Sequence, residues 1–333
     1  TNFESGDANT LGFGMPLPAD EAEKLFFAET FSAGALVQNG INWVDFHRND
    51  KRIDSIRSFL QFPARNSSLF NLNSYCQFAI LLSEIGEVED VGATGPSFRG
   101  ASYLLSDLQW TYDVLFAAHP DRREGSDLLT LAKLQKYDAV LLPNSRYLSD
   151  SQIEMLTAYV NAGGTLIGFG RVGDQDDSGV PRASTRIFDD YFAKNLISEL
   201  GTGKIIAFST DLGKSYYDNA ANETTKTSLR ETYTNTVDGQ VSPDLSLTYT
   251  GSGSGPGTSP DVFANRFKSD DGSWVLHLVN RNMETDASGS STKKISDLVS
   301  TEITTLLPTG YDDDNVVVSF IDADASEVTT LSY

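Results

Sequence analysis

Residues 137–170 (YDAVLLPNSRYLSDSQIEMLTAYVNAGGTLIGFG) restrict the fold more than any other part of this chain. Residues 139–142 are an unbroken apolar run, too short for a helix and closed by Pro143 and Asn144, which predicts a strand buried on both faces. Ser149 stands where a helix N-cap is needed, and Leu148 is placed to fold back as a hydrophobic staple. Ile153, Leu156, Tyr159 and Val160 then recur at helical spacing on one face. Gly163 can end that helix because it adopts positive φ at little cost, and residues 165–169 make a second apolar run. Two buried strands joined by one amphipathic helix form a right-handed βαβ unit, and therefore a parallel sheet.

The pattern extends in both directions. Residues 78–82 predict a first strand, residues 84–90 an acidic loop followed by Gly-Pro turns, residues 101–108 a short helix and residues 112–116 a second strand. Beyond the central stretch, residues 187–200 predict an amphipathic helix and residues 204–208 a fifth strand. That order of elements belongs to a flavodoxin-like α/β domain, assigned to residues 73–212. After Gly213 helical periodicity gives way to strands at 245–249, 262–268, 274–280, 302–307, 316–321 and 327–333, which predict an antiparallel β-sandwich over residues 213–333. The run at 251–260 (GSGSGPGTSP) is a flexible loop within it.

Residues 1–72 read as a piece of something larger. They predict a helix at 20–33, a strand at 35–46 and a second helix at 54–70 interrupted by Pro63. One strand between two helices cannot bury Phe26, Phe27, Phe31, Trp43, Phe46, Phe59 and Phe62, which need a sheet to pack on. The fold class expected for the whole chain is α/β plus all-β.

At 333 residues, two or three domains are expected. With 25 Lys+Arg against 46 Asp+Glu the formal net charge is −21, which leaves no room for a large basic face and excludes nucleic acid as an expected partner. No apolar run approaches the ~20 residues that a membrane span requires. The sequence begins at Thr1 without a methionine or a leader, which fits a removed signal peptide or an upstream cleavage. The acidity suits a secreted or salt-exposed protein, and an extracellular or cell-surface location is expected. Cys76 is the only cysteine, so a disulfide framework within the chain and a cysteine-rich metal site are both excluded.

Several sites of familiar chemistry are missing. Ser83-Glu84-Ile85-Gly86 stands where a dinucleotide-binding turn would follow the first strand, no P-loop is present, and the glycines at 251–260 lack the strand and helix of a phosphate cradle. No cofactor is expected. Amidotransferases of this fold hold a cysteine nucleophile on a tight turn after a strand, whereas the matching turn here is Pro143-Asn144-Ser145, with Asn144 and Ser145 reading as turn and cap residues. His119 beside Pro120, and His277 between Leu276 and Leu278, read as structural, the latter able to hydrogen-bond a neighbouring loop. No two histidines have metal-ligand spacing, and Asp312, Asp313 and Asp314 read as a solvated turn, so no metal is expected. One constellation points to a ligand. Trp43, Asp45 and His47 alternate and so project to one side of a strand, where an aromatic beside a carboxylate suits a sugar ring. The alternative is that Trp43 is core and that Asp45 and His47 begin a loop.

The order of these features resembles the C-terminal part of clan A glycoside hydrolases built like the family 42 β-galactosidases. The phrases that carry the resemblance are AEKLFFAETFSAGA (residues 22–35), YCQFAILLSE (75–84), the 137–170 stretch, GTGKIIAFSTDLG (201–213) and SWVLHLVNRN (273–282). It implies that residues 1–72 are the end of a (β/α)8 barrel, followed by an amidotransferase-like domain and a small β-sandwich. It also implies retaining hydrolysis by two glutamates, with Glu4 matching the nucleophile at the end of the seventh barrel strand and Trp43, Asp45 and His47 lining the sugar cleft. The glutamate of the fourth strand, and at least six barrel strands, have no counterpart in this sequence. Two function classes therefore follow: part of a carbohydrate-active hydrolase whose barrel is completed by another segment or chain, or a non-catalytic surface or assembly protein built from hydrolase accessory domains. Expected partners are a polysaccharide or oligosaccharide, together with copies of itself or a barrel-containing chain.

Overall fold

The computed structural model describes residues 10–11, 15–16, 28, 32, 61–70, 72–121, 128–182, 196–243, 245–251, 262–269, 272–280, 283–285, 293–295, 298–305, 317–321 and 328–332. The chain divides into two compact units: Tyr75–Asp244, and a second made of Thr1–Ser74 with Leu245–Tyr333.

The first unit is built on a six-stranded sheet. Its strands are β1 (Phe78–Ser83), β2 (Asp113–Ala117), β3 (Ala139–Pro143), β4 (Thr165–Phe169), β5 (Leu196–Leu200) and β6 (Gly203–Phe208). They lie in the order β2-β1-β3-β4-β6-β5, parallel throughout except that β5 runs antiparallel to β6. The parallel strands thus follow the flavodoxin-like order, which reverses direction between β1 and β3. Every residue of β3 and β4 is buried, as a sheet covered on both faces requires. Period-two alternation divides the side chains between two cores. Val140 and Leu142 join Leu81, Leu156, Leu166 and Ile205 on one face, while Ala139 and Leu141 join Ile80, Leu104, Phe169 and Tyr233 on the other.

Six helices accompany the sheet among the described residues: α1 (Glu84–Glu89), α2 (Val91–Asp107), α3 (Leu131–Leu134), α4 (Asp150–Asn161), α5 (Leu212–Asp218) and α6 (Glu223–Val237). Helix α4 forms as its sequence dictates. Ser149 Oγ accepts from Gln152 N at 3.2 Å, Gln152 Oε1 accepts from Ser149 N at 2.9 Å, and Ile153, Leu156, Tyr159 and Val160 are buried. Gly163 follows with φ +108°.

Four expectations are corrected. The acidic stretch 84–90 is helical, started by Ser83 Oγ, which accepts from Gly86 N at 3.1 Å. Helix α2 then runs through Gly92, Gly95 and Pro96, because the buried stripe of Thr94, Ser97, Ala101, Leu104 and Leu105 outweighs their poor helix propensity. Residues 196–200, expected to end a helix, pair with β6 across a turn of Gly201, at φ +62°, and Thr202; residues 187–195 lie outside the described residues. Helices α5 and α6 occupy a region where only strands were expected. Helix α6 is polar almost throughout, and its buried face carries Arg230, Tyr233 and Val237.

Arg230 is held by a polar cluster. Asp107, at the end of α2, accepts from Lys226 Nζ at 2.9 Å and lies 3.5 Å from Arg230 Nη1, while Arg230 also donates to Tyr216 Oη at 2.8 Å and Tyr216 donates to Asp107. Burial, and next the Asp107 charge, push the Tyr216 phenol far above its ordinary value, so it stays a donor. Beside this cluster α2 meets α5 backbone to backbone. A Cβ on Gly100 would overlap the carbonyl of Gly213, and one on Gly213 would overlap the carbonyl of Ser97.

The second unit is antiparallel in its described strands. Leu245–Gly251 pairs with Leu298–Thr305, Val262–Lys268 with Trp274–Asn280, Met283–Thr285 with Lys293–Ile295, and Val317–Ile321 with Val328–Ser332. Asn73–Ser74 adds to the outer side of Val262–Lys268. His277 has the structural role its position suggests: Nε2 lies 2.8 Å from Leu69 O, and the ring sits between Phe70 and Phe267. No helix of the described residues is long and apolar enough to cross a membrane.

Two substitutions test this packing. Gly100→Ala forces α2 away from α5 and is expected to cost about 3 kcal/mol in urea denaturation, near the upper end for overpacking. Tyr233 is fully buried with no hydrogen-bond partner for its hydroxyl among the described residues. Removing that hydroxyl in Tyr233→Phe is expected to raise stability by about 1 kcal/mol, and a loss would mean that the hydroxyl is satisfied after all.

Candidate functional site

Parallel strands place all their carboxyl ends on one edge, and in open α/β sheets ligands bind there, at the point where strand order reverses. In this unit that point lies between β1 and β3. Glu84 follows β1, Asn144 follows β3, Gly170 follows β4, and Asp211 stands just beyond β6. Asn144 is the residue under strain. It takes φ +44°, which asparagine tolerates better than most residues, and it is only 8% exposed. The turn is fastened to the next strand, with Asn144 N donating to Phe169 O at 2.9 Å and Arg171 N to Asn144 Oδ1 at 3.3 Å.

Gly170, at φ +68°, lies between two side chains. A Cβ on it would stand 3.3 Å from Asn144 Oδ1 and 3.2 Å from Asp211 Cβ. Asp211 caps α5, its Oδ1 accepting from Lys214 N at 2.9 Å and from Ser97 Oγ at 2.7 Å. Burial pushes its carboxyl above the ordinary value of 3.8, and the bonds from Lys214 N and Ser97 only partly offset this. Asn144 Nδ2 and Asp211 Oδ2 make no hydrogen bond among the described residues, and neither is a fully enclosed atom. Asn144 Oδ1 and Asp211 Cβ thus close in on Gly170 too tightly for a side chain there. Asn144 and Ser145, both buried, stand at the turn, and Cys76 is buried ahead of β1.

Two described arginines beyond β3 and β4 are paired. Arg146 Nε donates to Asp174 at 3.2 Å and its Nη1 lies 3.6 Å from Asp90, while Arg171 pairs with Asp174. Glu84 accepts from His119 N at 2.8 Å. His119, Asp121 and Asp177, the last of them distant in sequence from the other two, bring one potential metal-ligating atom each within 4.8 Å of one another. Asp121 N donates to His119 Nδ1 at 3.1 Å, which occupies one of the two ring nitrogens.

Glu4, Trp43, Asp45 and His47 lie outside the described residues, as do Asp312, Asp313 and Asp314. Sequence reasoning had singled out Asn144 as a turn residue but not as part of a site, and it had passed over Asp211. The signals were a carboxamide straight after a buried strand and an aspartate at a helix start.

No protein-family model matches the sequence, and no curated protein matches it. Among solved structures, the chain is similar to α-L-fucosidase isoenzyme 2 from Paenibacillus thiaminolyticus, at 12% identity over 94% of this chain and 55% of that one, with a TM-score of 0.54. It is also similar to the apo exo-carrageenase GH42 from Bacteroides ovatus, at 11% identity over 94% of this chain and 38% of that one, with a TM-score of 0.50. The likeness is one of fold. Its α/β sheet with accompanying antiparallel strands is a glycoside-hydrolase-like fold, and the chain spans between about two fifths and somewhat over half of these two proteins.

The raised Asp211 carboxyl has a pH signature. A group that holds its proton more tightly when folded contributes stability that is complete below about pH 4 and is lost as pH rises through the raised value. Asp211→Asn removes that dependence and retains a good N-cap. Urea denaturation at a series of pH values is expected to show the variant gaining on the wild type as pH climbs from about 4 through that window, whereas a constant difference would mean that Asp211 is not raised.

Proposed function

We propose that this chain is the C-terminal part of a retaining glycoside hydrolase, with the rest of its barrel supplied by another segment or a partner chain. What carries the reading is the fold likeness over 94% of the chain to an α-L-fucosidase of which it spans 55%. In this reading residues 1–72 form the end of a (β/α)8 barrel, the α/β unit is amidotransferase-like, and the antiparallel pairs close into a β-sandwich. Glu4 is the nucleophile, and Trp43, Asp45 and His47 line the sugar cleft by stacking and hydroxyl bonding. The acid/base carboxyl comes from whatever supplies the fourth barrel strand, held about 5–5.5 Å from Glu4 as retention demands. The net charge of −21 supports an extracellular or cell-surface setting.

A second reading is a non-catalytic surface or assembly protein, favoured by an α/β unit whose strained turn carries Asn144 rather than a nucleophile. Native mass spectrometry of the protein from its source, with peptide mapping of what co-purifies, separates the two. The hydrolase reading expects a barrel-containing chain or a longer form of this one, active on glycosides. Glu4→Gln should then lower kcat by about ten-thousandfold or more without releasing the partner. Assemblies of this chain alone, inert toward glycosides, would overturn it in favour of the second.

A further inference from the structure

We propose that His119, Asp121 and Asp177 form a site for one divalent metal ion of the zinc class, held at the carboxyl edge of the α/β unit by an imidazole nitrogen and two carboxylate oxygens. The site is separate from the barrel chemistry proposed above and does not depend on it.

Two loops assemble it. His119 and Asp121 follow β2 and Asp177 lies beyond β4, so the groups come from strands on opposite sides of the reversal between β1 and β3, where sheets of this topology receive ligands. The loop that carries Asp177 is stitched along the edge. Gly173 N donates to Ser145 O at 2.9 Å and Gln175 N to Arg146 O at 3.1 Å, while Ser83 Oγ donates to Tyr147 O at 3.0 Å and Gln152 Nε2 to Ala118 O at 2.9 Å. Asp177 stands in a tight turn, in which Asp176 Oδ1 accepts from Ser178 N and Val180 N at 2.9 Å each.

The spacing of the three groups is what points to an ion. Their ligand atoms lie within 4.8 Å of one another, yet neither carboxylate makes a hydrogen bond or ion pair among the described residues. Atoms on opposite sides of an ion with bonds of about 2.0–2.2 Å stand about 4.0–4.4 Å apart, so shifts of about half an ångström or less bring all three onto one ion. The arginines of the Asp177 loop do not neutralise the pair, because Arg171 is bound to Asp174 and Arg182 to Asp150. What the ring gives up is the solvent-exposed bond from Asp121 N to His119 Nδ1, at 3.1 Å. An ion on either ring nitrogen claims the single lone pair of a neutral imidazole and ends that bond. The donor set selects the metal. Ca²⁺ and Mg²⁺ favour shells made wholly of oxygen, whereas an imidazole with two carboxylates suits Zn²⁺, with water in the remaining position.

The test is calorimetric titration of the full chain with Zn²⁺, Ca²⁺ and Mg²⁺ in chelator-free buffer, joined by thermal melting with and without Zn²⁺. One Zn²⁺ is expected to bind at least tenfold more tightly than either of the other ions and to raise the Tm. His119→Gln and Asp177→Asn should each weaken that ion by tenfold or more and abolish the rise in Tm, while still melting cooperatively in its absence. A chain with 46 Asp+Glu also collects cations diffusely, so Asp218→Asn, which removes an exposed carboxylate of α5, serves as the control and should leave the affinity unchanged. X-ray absorption at the zinc edge should show only nitrogen and oxygen neighbours. Failure of Zn²⁺ to bind would overturn the proposal, as would tighter binding of Ca²⁺ or Mg²⁺. So would an affinity that either His119→Gln or Asp177→Asn leaves intact, or one that Asp218→Asn lowers as much as they do, since both results would mean diffuse attraction or a site elsewhere.

Discussion

The contact on which the α/β unit depends is the one between the backbones of α2 and α5, where Gly100 and Gly213 leave no side chain between two helices. Packing this close is a matter of excluded volume, because either glycine given a Cβ would drive the helices apart. Its effect reaches the sheet edge. The short separation lets Ser97, on α2, donate to Asp211 at the start of α5, and it covers that carboxylate from solvent. With the helices one side chain further apart, Asp211 would be an ordinary hydrated N-cap. The surroundings of Asp211 are therefore set in part by two glycines that bring the helices together.

What could be read from the sequence was what depends on neighbours along the chain. The βαβ unit around α4 emerges from a capping box, an apolar stripe and Gly163, all within one stretch, and the structure reproduces it. The first half of helix α2 was hidden because Gly92, Gly95 and Pro96 argue locally against a helix, and only its second half was expected. Helix α6 was hidden for a related reason. Its inward face includes Arg230, which reads as solvent-facing until Asp107 and Tyr216, distant in sequence, are brought to meet it. The 196–200 segment has apolar residues that fit either period, and only pairing with β6 decides.

The candidate edge site was legible in pieces. Asn144 follows a buried strand and Asp211 precedes a helix, so each announces a turn or a cap, but their meeting across Gly170 depends on strand order, which no local signal encodes. His277 shows the intermediate case. Its place in an apolar strand implied a partner in a nearby loop, and Leu69 O is that partner, though nothing in the sequence singled it out. Glu4, Trp43, Asp45 and His47 draw their roles from alternation and family likeness, and they stand outside the described residues.

The Asp107 cluster has a consequence for how this protein meets its solvent. Ion pairs at 2.9 and 3.5 Å, with Asp107 only 11% exposed, lie far inside the ~8 Å Debye length of physiological saline and are screened little by it. The rest of a chain with net charge −21 repels itself across the surface, over distances that mobile ions do screen. Rising ionic strength thus relieves the repulsion and spares the attraction. Dissolved salt acts on this fold as a stabilising component, and low-salt buffer is the more demanding environment for it.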